Sequence, residues 1–203
     1  RQIARPAAGA ECSPAVAALL DRCLELVSGD AAAMLCAAAA SYALAWQEHF
    51  GREHEPIRLR GERNLLRYRP CRRILVRAET ATTAGRLALS QVLLAARTCD
   101  VPVTGSLASG SGLPAGTDVT AAVESEADLI GRLGSGSFER LRVLAPIAHE
   151  VRTAAHAAGV VVLDAPVLAT GRLELRGYLR EQTISRVVHR YGSVMQPDAA
   201  GRP

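Results

Sequence analysis

Short apolar runs alternate with amphipathic stretches along the middle of this chain. Ile74, Leu75 and Val76 form a continuous apolar run of the kind buried on both faces of a sheet. Leu89, Val92, Leu93 and Ala96 then recur at helical spacing, with Arg86, Ser90 and Arg97 on the opposite face. A second run follows from Val101 to Thr104, and because Pro102 cannot donate a ladder hydrogen bond it predicts a strand at a sheet edge. Leu107 to Gly116 reads as a Ser/Gly/Pro loop. Ser125 with Asp128 three residues on predicts a capping box that opens a helix through Leu133. Leu141 to Ala145 is the third strand. Ala148, Val151, Ala155 and Ala158 give a narrow helix face of small residues ended by Gly159, and Val160 to Leu163 is the fourth strand. Strands joined by helical crossovers lie parallel with right-handed connections. The expected fold is therefore α/β: a Rossmann-like parallel sheet of about four strands in the order 2-1-3-4, the Ile74 strand central, with helices on both faces.

Two helices precede the sheet. Ser13 followed by Pro14 predicts a capped start, with a helix to about Val27. Ser28, Gly29 and Asp30 break it and open a second helix, on which Leu35, Tyr42, Trp46 and Phe50 share a face. The pair should form a hairpin, with Trp46 as ordinary packing. Asn64 to Arg69, before Pro70, reads as extended. At the other end, Leu173, Leu175, Tyr178 and Leu179, then Ile184, Val187 and Val188, are too apolar for a free terminus, so this segment is expected to bury itself on a partner surface. A chain cut after Gly171 should then keep its fold. The expected division is a linker over residues 1–12, a helical lead-in over 13–56, the Rossmann-like domain over 57–170, a C-terminal docking motif over 171–192 and a flexible tail over 193–203. With no Met at position 1 and a linker-like opening, the chain reads as a piece of something longer.

Composition narrows the function classes. At 203 residues and 49% hydrophobic the chain can bury one substantial core. It lacks a run of about 18 apolar residues, so no transmembrane segment is expected. All of the basic residues are Arg and the net charge is only +4. Cys12, Cys23, Cys36, Cys71 and Cys99 are odd in number and have no CxxC spacing, which indicates neither a disulfide framework nor a zinc site and fits a reducing cytoplasm.

A dinucleotide site needs GxGxxG after the first strand, because glycine lets backbone approach a pyrophosphate at a helix N-terminus. This chain has Arg77, Ala78, Glu79, Thr80 and Ala81 there. The expectation is no nicotinamide or flavin at that turn. Gly105, Gly110 and Gly112 lack the GK[ST] of a phosphate loop and read as flexible loop. His149, Glu150 and His156 do not make a zinc site, since the two histidines lie about 10 Å apart along a helix axis. His49, Glu53, His54 and Glu55 cluster at a helix end, where histidine caps carbonyls. Cys71 sits beside a buried strand and reads as inert. No catalytic, cofactor-binding or metal-binding residue is expected. Between Arg58 and Arg77, eight arginines face one carboxylate, Glu62. They suit either a polyanion or nucleic acid, with Tyr68 between Arg67 and Arg69 as a stacking platform, or the carboxylates of a neighbouring domain, the reading preferred here.

Three strings give the chain a resemblance. GERNLLRYRP at 61–70 followed by RILVRAE at 73–79, SYALAWQEHFGREHEP at 41–56, and GRLELRGYLREQTISRVVHRYG at 171–192 resemble segments of the proline utilization A family, bifunctional proline dehydrogenases and L-glutamate gamma-semialdehyde dehydrogenases. The resemblance implies a C-terminal, non-catalytic domain with an aldehyde dehydrogenase-like fold, which covers the passage carrying pyrroline-5-carboxylate between the two active sites. FAD and NAD would be held by the parent, with no cofactor in this fragment. It implies docking on a preceding aldehyde dehydrogenase domain of the same chain, leaves room for a homo-oligomer, and calls for no nucleic acid. The parent would be cytoplasmic, or peripheral to the inner membrane. The implied interdomain or lid residues are Arg63, Asn64, Arg67, Tyr68, Tyr178, Leu179, Arg180, Glu181, His189, Arg190 and Tyr191, within a docking tail that includes Tyr178 to Ser185. Relatives with a glycine-rich NTAAAGGN-like ending differ from this chain, which has Val187, Val188, His189, Arg190 and Tyr191 there.

Overall fold

The Ile74 run lengthens into the central strand of a parallel sheet in the computed structural model, which describes residues 11–109, 113, 119–190 and 193–194. In chain order the elements are α1 (Pro14–Leu24), α2 (Gly29–Ala45), β1 (Glu62–Pro70), β2 (Ile74–Glu79), α3 (Thr83–Thr98), β3 (Val103–Ser109), β4 (Thr120–Val123), α4 (Glu126–Leu133) and β5 (Arg140–Val143). They continue with α5 (His149–Ala157), β6 (Val161–Leu163), α6 (Gly171–Glu174), β7 (Leu179–Val187), β8 (His189–Arg190) and β9 (Ser193–Val194). The main sheet is ordered β4-β3-β2-β5-β6 with every pairing parallel.

The expected order of four strands holds, with a fifth, β4, added outside β3. That addition overturns the edge placement of the second strand. Pro102 lies just before β3, not in it, and its carbonyl accepts from Ile74 N at 3.0 Å, so the missing N–H costs the ladder nothing. Gly105 and Leu107 to Ser109 belong to β3 and not, as expected, to loop, because their backbone pairs with its neighbours; Gly110 and Gly112 lie outside the described residues.

Residues alternate across a strand, so β2 serves two cores. Ile74, Val76 and Ala78 pack with Val92, Leu93 and Ala96 of α3 and with Leu35, Ala38 and Tyr42 of α2. Leu75 faces the other way, with Leu141 of β5, Leu129 and Leu133 of α4, and Val151 and Ala155 of α5. The helices are fixed by local chemistry. Ser13 Oγ accepts from Val16 N at 3.3 Å with Pro14 in the first turn of α1, and Ser125 and Asp128 form the full reciprocal box at α4. Gly159, at φ +68°, closes α5 in the left-handed region. Ser28 does precede α2, although its side chain makes no capping bond. Beyond Ala45 the helix widens into one π-helical turn, Trp46–Phe50, which buries Phe50 and leaves Trp46 packed against the same core.

Alanines on α2 let α6 approach closely. A Cβ on Gly171 would collide with the Ser41 carbonyl and sit 2.8 Å from Ala45 Cβ, and Gly171 N donates to Ser41 Oγ at 2.9 Å. This contact positions a buried polar network. Arg142, in β5, donates to Leu163 O at 3.1 Å and Ala165 O at 2.6 Å and pairs with Glu174 Oε1 at 3.2 Å. Tyr178 Oη donates to the same carboxylate oxygen at 3.0 Å and Leu168 N donates to the other at 2.9 Å, while Tyr42 Oη, from α2, donates to Leu168 O at 2.6 Å. Arg142 and Glu174 are 4% and 6% exposed, too dry for either charge to stand alone. Burial and the neighbouring Glu174 carboxylate raise the Tyr178 phenol well above its usual range, so it remains a donor.

The expectation that a chain cut after Gly171 stays folded is therefore corrected. Glu174, Leu175, Tyr178 and Leu179 are all buried in this chain's own core. Two substitutions test the arrangement by urea unfolding. Gly171→Ala should force α6 off α2 and cost about 1–3 kcal/mol by overpacking. Glu174→Ala should cost about 3–5 kcal/mol by stranding the Arg142 guanidinium, and Glu174→Gln, which retains the shape and some of the hydrogen bonds, should cost less.

Candidate functional site

In open parallel sheets, ligands gather beyond the carboxyl ends of the strands where the crossover direction reverses. Here that point lies between β2 and β5. Because β2 continues to Glu79, Arg77 and Ala78 belong to the strand and not, as expected, to the turn. Arg77 is buried, donating to Ser106 Oγ at 2.9 Å and Glu124 O at 3.0 Å. This also removes it from the exposed basic segment. The Gly85 and Arg86 donors are spent on the turn's own oxygens, whereas the buried Thr80 hydroxyl has no partner among the described residues. Thr82 Oγ1 accepts from Gly85 N at 3.0 Å, and the Glu79 carbonyl packs against Gly85 where any Cβ would stand. Arg86 lies across the turn, donating to Thr80 O and Ala81 O at 3.1 Å each, and to Leu26 O at 3.1 Å. On the β5 side, Ala88, Leu144, Pro146, Ile147 and Val167 line an open, mostly apolar crevice bordered by the Arg152–Asp164 ion pair at 2.7 Å. The Arg152 hydrogen bond and charge hold the Asp164 carboxyl below its ordinary range.

The second region is the C-terminal segment. β7 pairs antiparallel with β1 along the whole of both strands, from Pro70↔Leu179 to Glu62↔Val187. The segment was expected to need a partner surface, but its first half docks within the chain. Tyr178 is fully buried and its carbonyl accepts from Cys71 N at 2.9 Å, while the Leu179 carbonyl accepts from Arg140 Nη2 at 2.6 Å. Leu173 and Val187 remain exposed.

Register decides what each expected residue faces. Pairs in register share a face, and successive residues alternate. Asn64, Leu66 and Tyr68 therefore share one face with Ser185, Thr183 and Glu181. Ser185 Oγ donates to Asn64 Oδ1 at 2.7 Å, and Glu181 is exposed opposite Tyr68. Tyr68 Oη lies 3.1 Å from His49 Nε2, and its ring is edge-on to Phe50 and close to His54, whose Nε2 meets the His49 carbonyl at 2.9 Å. Desolvation, then the Arg172 and His54 charges, pushes the His49 pKa down. The other face carries Arg63 opposite Arg186, Leu65 opposite Ile184, Arg67 opposite Gln182 and Arg69 opposite Arg180. Arg67 donates to Gln182 Oε1 at 2.7 Å and pairs with Glu53 at 3.5 Å, and Arg180 meets Glu139 at 3.6 Å and Pro70 O at 3.2 Å. His189 and Arg190 form the backbone of β8, paired with β9; Tyr191 lies outside the described residues.

The remaining candidates stay apart. Among the described residues, no group of three or more His, Cys, Asp or Glu side chains converges as metal ligands would. His149 and His156 stand at opposite ends of α5. Burial pushes the Cys71 thiol up to about 11, and no described helix is long and apolar enough to cross a membrane. Sequence reasoning missed Arg142, Glu174 and Tyr42. The available signal was an arginine alternating with apolar residues in Arg140–Val143, a buried strand in need of a counter-charge.

No family model and no curated protein sequence matches the chain. Solved structures do. Proline utilization A from Corynebacterium freiburgense superposes with a TM-score of 0.62 at 26% identity, over 95% of this chain and 16% of that one. Proline utilization A from Bradyrhizobium japonicum gives 0.51 at 16% identity, over 74% of this chain and 20% of that one. A third proline utilization A structure, described with proline bound in remote sites, gives 0.51 at 17% identity over 74% of this chain and 19% of that one. At those identities the latter two show the fold alone. The chain spans about a sixth to a fifth of the length of these proteins and has a proline utilization A-like fold.

Proposed function

We propose that this chain is a non-catalytic covering domain of a bifunctional proline-catabolic oxidoreductase. It closes the passage through which pyrroline-5-carboxylate, or its hydrolysed semialdehyde, moves between two active sites held elsewhere in a cytoplasmic parent. The observation that carries this reading is the occupied turn after β2: the Gly85 amide of α3 is capped by Thr82, the Glu79 carbonyl fills the space at Gly85, and Arg86 spans the loop. A pyrophosphate brought there would find the Gly85 amide and the Arg86 guanidinium already engaged and would meet a carbonyl dipole of the wrong sign. The likeness to the Corynebacterium protein over 95% of the chain supports the assignment of parent. FAD and NAD belong, on this reading, to other parts of that parent.

The experiment uses the full-length protein with its strand β7 removed by truncation after Leu179, which retains the buried Glu174, Leu175, Tyr178 and Leu179. Proline-dependent turnover should then release trappable pyrroline-5-carboxylate to solvent and show a lag before NADH appears, whereas the untruncated protein should show neither. Calorimetric titration of the chain with NAD should give no saturable binding. Unchanged channelling after truncation, or NAD binding by the chain itself, overturns the proposal.

A further inference from the structure

We infer that the pocket between the inner face of the β1–β7 ribbon and the start of β5 binds a free acidic amino acid, a ligand with one ammonium and two carboxylates. The fold builds this pocket from three directions. Antiparallel register places Glu181 directly opposite Tyr68, on the face of the ribbon turned towards His49 and Phe50. Arg140, at the start of β5, donates to Arg176 O at 3.0 Å and Leu179 O at 2.6 Å, and so holds the single 3-10 turn Leu175–Tyr178 against the sheet. Within that turn Gly177 carries no side chain, which keeps the space in front of Leu163 open. The pocket has a volume of about 430 Å³, the size of a small-molecule site. Its wall is mixed: Leu163, Leu179 and Tyr68 are the apolar part, and Arg140, Arg176 and Glu181 are the charges.

The charges select the ligand. Arg176 and Glu181 are exposed and line the same pocket, yet among the described residues neither side chain makes a hydrogen bond or ion pair, with the other or with anything else. Arg140 spends two donors on carbonyls, which are neutral, and no carboxylate among the described residues pairs with it. The pocket therefore offers two cations and one anion. A phosphate would gain the guanidinium groups but face Glu181, and a simple amine would face two guanidinium groups. A neutral amino acid answers one guanidinium and the carboxylate and leaves the second guanidinium unmatched. An acidic amino acid answers all three. Its carboxylates suit the planar fork of Arg176 and the N–H donors that Arg140 retains, its ammonium suits Glu181, and its methylenes suit Leu163 and Leu179. The inference goes beyond the covering role and does not depend on it, since every group it uses lies on this chain and away from the ribbon face of Arg63, Arg67 and Arg69.

The test is calorimetric titration of the 203-residue chain with three probes of matched length: L-glutamate, L-glutamine and glutarate. L-Glutamate should bind saturably. It should bind about tenfold more tightly than L-glutamine, which lacks the second carboxylate, or glutarate, which lacks the ammonium, since a hydrogen bond to a charged group is worth about that factor. Arg176→Gln and Glu181→Gln, both at exposed positions and checked for fold by circular dichroism, should each weaken L-glutamate about tenfold. No saturable L-glutamate binding overturns the inference. So does glutarate or L-glutamine binding as tightly as L-glutamate, or an L-glutamate affinity that either substitution leaves unchanged. Unchanged channelling in the truncated full-length protein would remove the covering role and leave this site standing, whereas channelling lost on truncation without L-glutamate binding by the chain would do the reverse.

Discussion

The ion pair between Arg142 and Glu174 is the constraint on which the rest of the molecule leans. It lies where β5, the chain after β6, and the Gly171 to Tyr178 segment converge, and each of those elements contributes an atom to it. A guanidinium in a dry parallel sheet carries a large desolvation cost, offset here by two carbonyls and a carboxylate. Glu174 is in turn held by a backbone amide and a phenol. Tyr42 extends the lattice to α2. These shared contacts tie α6 to β5, to the chain after β6 and, through Leu168, to α2.

Much of this architecture was legible in the sequence. Continuous apolar strands, helical spacing and capping chemistry located the central strand, the parallel order and the helices on both faces, since those features follow from burial periodicity. The failures have local causes. β4 is a four-residue strand of Thr, Ala and Val with mostly exposed side chains, and hydrogen bonding to β3 defines it without any apolar signature. Pro102 was given an edge-strand meaning that it lacks one residue outside the ladder. The true ends of β2 and β3 depend on their neighbours, which a single strand does not disclose.

The functional regions were less legible because pairing, not composition, creates them. The basic stretch from Arg58 to Arg77 looked uniform along the chain, yet folding divides it: Arg77 goes inside, Arg72 turns to Glu139, and Arg63, Arg67 and Arg69 align on one side of β1. Tyr68, whose neighbours in sequence suggested stacking on a base, joins two histidines and a phenylalanine. The apolar character of the last segment, read as a demand for burial on a partner, holds in this chain for Leu175, Tyr178 and Leu179 and not for Leu173 and Val187. Its destination was the chain's own core and the edge of β1.

The pairing of β1 with β7 joins positions as distant as Arg67 and Gln182, 115 residues apart. During synthesis, the first strand is therefore made long before its complement leaves the ribosome, and closing so large a loop is intrinsically slow. For that interval its ladder groups are open to any other nascent chain. Arginines spaced along a waiting strand are the kind of charge that discourages such mispairing.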